Sequence, residues 1–96
     1  MWPCPACAHM QKSIYSRQYR TFLELLRSQR EAVGLTQEDL ATRLESTQSF
    51  VSKCERGERR LDLVELHSWC VAMGVPLSDF VARFEVAVAD EGKALR

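Results

Sequence analysis

Apolar side chains recur along this chain at the spacing of one buried helix face, and polar runs separate the stripes. Tyr19, Phe22, Leu23, Leu26 and Val33 make the first stripe, with Ser16 placed to cap it and Gly34 to end it. Leu40, Ala41 and Leu44 make a second, shorter one after Thr36, a residue type that caps helices. Asp39 stands three residues past Thr36, a weaker relative of the capping box, and Glu38 and Asp39 put negative charge in the first turn, where the helix dipole favours it. Glu45 and Ser46 break the pattern. Thr47 then caps a third helix with Phe50, Val51 and Cys54 on its apolar face, and Gly57 stops it. A fourth helix is predicted from about Asp62 to Met73, burying Leu63, Leu66, Cys70 and Met73 and ending at Gly74. A fifth starts near Pro76 and carries Leu77, Phe80, Val81 and Phe84. No window alternates with the period of a strand, so the expected fold is all-α with five helices. The chain divides into a short irregular leader (1–15), a helical domain (16–89) and a polar tail (90–96) expected to fray past Ala89.

The third helix is the informative one. Its apolar face turns Gln48, Ser49, Ser52, Lys53 and Arg56 outward. Gln48 and Ser49 stand at its start, where side-chain amides and hydroxyls can meet base edges and the helix N-terminus attracts phosphate. Two short helices joined by a tight turn, the second with small polar residues outside, suit a helix laid in the major groove of DNA. On composition alone, a helical hairpin that binds protein or nothing is the other reading.

Gly34-Leu35-Thr36-Gln37, then Leu40-Ala41-x-x-Leu44, then Thr47-Gln48-Ser49-x-Val51-Ser52-x-x-Glu55-x-Gly57, resembles the lambda-repressor and Cro-like (XRE-type) helix-turn-helix family, over about Arg20 to Phe84. The resemblance implies a five-helix DNA-binding domain with Thr47–Arg56 as recognition helix. It implies that Gln37 touches phosphate and that Gln48, Ser49 and Lys53 face bases, with Arg43, Thr47 and Ser52 in the same DNA-facing set. It also implies a structural ion pair between Arg30 and Glu55. The chain departs from the family at the turn. Glu45 stands where glycine is usual, because the residue there often takes positive φ, at a cost on the order of 1 kcal/mol for a side chain. Ser46 replaces a small apolar residue, and Cys54 a larger one.

Ninety-six residues make one small domain with little room for a catalytic cleft beside a core. There is no nucleophile–base set, phosphate loop or cofactor fingerprint, so neither an enzyme nor a cofactor is expected. No apolar run approaches a membrane span, and a cytoplasmic location is expected. Net charge is zero, but residues 1–60 hold ten Lys/Arg against seven Asp/Glu, +3, and residues 61–96 three against six, −3. That modest basic half suits a site-specific reader better than a nonspecific coater. Arg59 and Arg60, in the charged loop after the third helix, are candidate phosphate contacts.

Cys4-Pro5-Ala6-Cys7 has the spacing of zinc and redox sites, and His9 follows. A structural zinc wants four ligands and only three lie nearby, so no metal is expected. Cys54 and Cys70 fall on apolar faces and His67 at a helix surface or boundary. The fifth helix has apolar width to spare, which points to a homodimer joined through Phe80 and Phe84, and hence to double-stranded DNA carrying an inverted repeat. The expected function is a sequence-specific transcriptional regulator, a repressor. The alternative is an antitoxin-type protein whose acidic end, 85–96, binds a protein partner while the same fold autoregulates its operon.

Overall fold

The structure is a computed structural model that describes residues 12–94, with side chains from 17 to 90. Five helices follow one another: α1 (Lys12–Ala32), α2 (Gln37–Arg43), α3 (Gln48–Glu55), α4 (Leu63–Met73) and α5 (Leu77–Ala94). No strand occurs among the described residues. α1 packs on α3 and α5, α2 on α3 and α4, and α4 on α5. Their shared core is built from Leu26, Leu40, Val51, Trp69, Met73 and Phe80, with Cys54 and Cys70 fully enclosed among them.

The helix starts are set by local side-chain bonds. Thr36 and Asp39 form a complete capping box: Thr36 Oγ1 accepts the Asp39 N–H at 3.0 Å, and the Asp39 carboxylate accepts the Thr36 N–H at 3.1 Å. These bonds hold the Asp39 carboxyl below its ordinary pKa. Asp62 and Glu65 repeat the box at α4. The helix ends share one motif. After each of α1 to α4, two backbone N–H groups fold back to satisfy carbonyls of the last turn, in the pattern of Gly57 to Cys54 at 3.1 Å and Glu58 to Lys53 at 2.9 Å. That fold-back needs one left-handed residue. Glycine supplies it after α1, α3 and α4, but after α2 it is Glu45, at φ 56.

Four expectations are corrected. α1 already runs from Lys12, so Ser16 lies inside the helix and does not cap it. α5 continues to Ala94, past the end expected at Ala89. Leu63 is 66% exposed, and Trp69 takes the core place on α4 instead. Phe80 is 1% exposed, in edge-on contact with Phe22 at 5.9 Å between centroids. It belongs to the monomer's own core and has no surface to give a partner. Phe84 is half-buried and leans on the same Phe22 ring at 6.2 Å.

Candidate nucleic-acid interface

α3 begins at Thr47, whose extended backbone lets its hydroxyl accept the Phe50 N–H at 3.1 Å. Val51 and Cys54 anchor one side of the helix in the core. The opposite side carries Gln48, Ser49, Lys53 and Arg56, all exposed, with Ser52 half-buried among them.

The start of this face is held by a chain of bonds rooted in the interior. Arg30 and Glu55 are nearly buried, at 9% and 5% side-chain exposure. Arg30 Nε donates to Glu55 Oε2 at 2.7 Å and Nη2 to Oε1 at 3.1 Å, a bidentate pair. Its Nη1 donates to the Leu35 carbonyl at 2.8 Å, in the loop ahead of α2. Glu55 Oε1 also accepts from Gln37 Nε2 at 2.9 Å, and Gln37 Oε1 accepts from Gln48 Nε2 at 2.8 Å. The polarity of this chain is forced from its buried end. A carboxylate paired with arginine only accepts, so Gln37 must turn its NH₂ inward and its carbonyl toward Gln48. Gln48 must answer with one amide hydrogen. It keeps its second amide hydrogen and its carbonyl facing solvent, a donor and an acceptor side by side. That is the pairing that adenine offers at N7 and N6 in the major groove.

The far end of the face is held differently. Arg56 Nη1 donates to Ser52 Oγ, while Nε and Nη2 meet the two oxygens of Glu58 at 2.8 and 3.3 Å. Accepting from a cation leaves the Ser52 hydroxyl its own hydrogen to donate. Residues two apart do not normally face each other. They do here because Gly57, at φ 83, reverses the chain between them. A Cβ at Gly57 would stand 3.1 Å from Leu23 Cδ1, so the turn is also pressed against α1. The Arg56 bond holds the Glu58 carboxyl below its usual range. Neither Arg56 nor Glu58 was expected from the sequence to act as a pair.

The remaining predicted residues fall outside this constellation. Arg43 donates to the Ala72 carbonyl at 2.8 Å, where a cation satisfies the C-terminal end of α4. Arg43 is exposed and lies apart from the Gln37–Gln48 bond chain. Arg59 lies over the Phe50 ring at 4.9 Å and grips both oxygens of Glu65, at 2.7 and 3.1 Å. The bond raises the Arg59 pKa and lowers that of Glu65. Arg60 lies over the Tyr19 ring at 4.3 Å. Both loop arginines are thus built into the α3–α4 connection as packing groups, each with a charged head at the surface.

Burial pushes the Cys54 and Cys70 thiols up, and both are free thiols in the core. Among the described residues no group of His, Cys, Asp and Glu is placed to hold a metal ion. Cys4, Cys7 and His9 lie outside the described residues. Among the described residues no helix is long and apolar enough to cross a membrane.

Comparison with known proteins agrees with this geometry. A family model described as a helix-turn-helix domain matches residues 21–82. A solved structure, an XRE-family like protein from Pseudomonas syringae pv. tomato str. DC3000, is 40% identical and superposes with a TM-score of 0.76 over 81% of this chain and 95% of its own. No curated protein matches. The match across most of both chains, with the capped α2–turn–α3 unit at its centre, places this chain in the XRE-type helix-turn-helix family of DNA-binding regulators.

Proposed function

We propose that this protein is a sequence-specific, double-stranded DNA-binding repressor that occupies an operator with α3 in the major groove. The observation that carries the reading is the bond chain from Arg30 through Glu55 and Gln37 to Gln48. It orients a donor–acceptor pair on the first exposed residue of α3 before any DNA arrives, and preorganised groups bind at a lower ordering cost. Gln48 reads adenine, Lys53 contacts guanine, Ser49 and Ser52 add hydroxyl contacts, and the remaining amide hydrogen of Gln37 meets phosphate beside Thr47. Selection of bound duplexes from a random pool tests this. A consensus should emerge, and Gln48→Ala should relax one base pair by about 1–3 kcal/mol of discrimination while the fold survives. Failure to enrich any sequence defeats the proposal.

The repressor acts as a homodimer on an inverted repeat. With Phe80 enclosed, the surface that supports this is an open apolar groove of about 340 Å³ between α1, α4 and α5. Tyr19, Leu63, Val81 and Phe84 line it, and Leu63 and Val81 are 66% and 42% exposed. Two-fold pairing there covers apolar surface and sets recognition helices about 34–36 Å apart, one DNA turn. Light scattering should give a dimer mass that Phe84→Glu reduces to a monomer. A monomer mass with operator DNA present rules the dimer out.

A further inference from the structure

Lys53 lies on the exposed face of α3 and Arg56 at its C-cap, and the Glu58 side chain reaches back to Arg56. The Glu58 carboxylate is clamped to the Arg56 guanidinium at 2.8 and 3.3 Å. The position is not an accident of a long side chain. Glu58 occupies the place after the left-handed Gly57, where its own N–H is tied to the Lys53 carbonyl at 2.9 Å, so backbone geometry aims it back along the helix. The equivalent places after α1 and α4 hold Leu35 and Val75, the apolar type that usually packs against the last turn, and the place after α2 holds the uncharged Ser46. Here the place holds a charge beside the surface that meets a polyanion.

We infer that Glu58 limits DNA affinity: its carboxylate neutralises Arg56, the last cation on the reading face of α3, and opposes the phosphate contact that Arg56 would otherwise make. The inference rests on the DNA-binding reading above. Glu58 and Arg56 side chains are 56% and 53% exposed, so the pair is weakly held and solvent reaches both groups. Three of the five guanidinium hydrogens go to Glu58 and Ser52. The remaining two are left to meet a phosphate, but from a group whose charge is already balanced. The role is opposite to that of Glu55, which also grips an arginine but faces the interior, where it organises Gln37 and Gln48.

The test uses the full chain and two probes, a mixed-sequence duplex and the duplex obtained by selection. Glu58→Gln keeps the shape and removes the charge. It should tighten binding to both duplexes about threefold or more at low salt, and steepen the fall of log K with log salt by about 0.9, one phosphate's worth. In an Arg56→Gln background the same change should recover little of that gain. A Glu58→Gln protein that melts like the original but binds both duplexes equally or more weakly overturns the inference alone. Weaker binding confined to the selected duplex makes Glu58 a positioning residue for Arg56 and overturns it too. If the unmodified chain binds neither duplex, this inference and the DNA-binding reading fall together.

Discussion

The C-terminal end of α3 carries the same kind of ion pair twice, in two environments. Glu55, its last residue, meets Arg30 at 2.7 and 3.1 Å, and Arg56, the residue after it, meets Glu58 at 2.8 and 3.3 Å. Both are bidentate. They differ in solvent, with side-chain exposures of 9% and 5% against 53% and 56%. Geometry therefore cannot rank them, but desolvation can. A buried charge whose partner is removed has no water to turn to, whereas an exposed one is simply rehydrated. The interior pair is also wired to Leu35, Gln37 and Gln48, so its loss propagates to the reading surface. The side chains of the outer pair are bonded beyond each other to Ser52 alone, through Arg56. One region fixes the shape of the face and the other tunes its charge.

The strongest way to break this comparison is to delete one arginine from each pair. Arg30→Ala strands Glu55 in the core and should cost about 3–5 kcal/mol in denaturant unfolding. Arg56→Ala should cost far less, because water rehydrates the exposed Glu58 carboxylate it leaves behind. Equal losses at the two sites would mean that burial does not decide. In a small domain the first loss is a large share of the total stability, so binding by Arg30→Ala is best read at low temperature.

Next come the turns that bring Glu45 and Glu58 to their places. Gly57→Ala forces a side chain into φ 83 and sets its Cβ 3.1 Å from Leu23 Cδ1. The backbone strain alone is about 1–2 kcal/mol, and the contact adds to it unless Leu23 yields, so an unfolding loss of that size or slightly more is expected. Glu45→Gly is the reverse experiment on the same motif. Glu45 sits at φ 56 after α2, exposed, where glycine has no steric penalty. Relief of strain, reduced by the extra freedom of the unfolded glycine chain, leaves a gain of about 0.5–1 kcal/mol. A loss in the Glu45→Gly protein would show that the carboxylate has a stabilising contact that outweighs its backbone.

These turns also mark how far the sequence could be read. Thr36, Thr47 and the glycines at 34, 57 and 74 act through bonds to residues within a few positions, so cap and stop rules locate them. The family resemblance supplied what is non-local but recurrent, such as Arg30 facing Glu55 across 25 residues. What escaped depends on this chain's own packing. Arg43 finds the Ala72 carbonyl 29 positions away, and Phe80 is enclosed because Phe22 of α1 lies over it. On α4 the sequence stripe runs through Leu63 at the helix edge, whereas Trp69, three residues past Leu66, shares the inward arc with Cys70 and Met73. The Arg56–Glu58 pair was nearly legible. A glycine stop flanked by opposite charges is a local signal, once the left-handed residue is known to turn its neighbours toward each other.

The smallest effect isolates the outer pair. Glu58 titrates below the usual carboxylate range because Arg56 bonds it, and no other strong partner holds it there. A depressed folded-state pKa contributes stability that is present above the unfolded carboxylate pKa of about 4.3, and is lost as pH falls through the lower, folded value. For a group more than half exposed that contribution is slight, so the pKa itself is the better observable. Carbon-detected NMR titration should place the Glu58 midpoint below that of an ordinary glutamate, and Arg56→Ala should return it to the ordinary range. Asp39, depressed by its own bonds to Thr36, should not move in the same variant and serves as the internal control. If Glu58 keeps its depressed midpoint without Arg56, then Lys53 or the backbone holds the charge, and the outer pair is not the counterpart of Arg30 and Glu55.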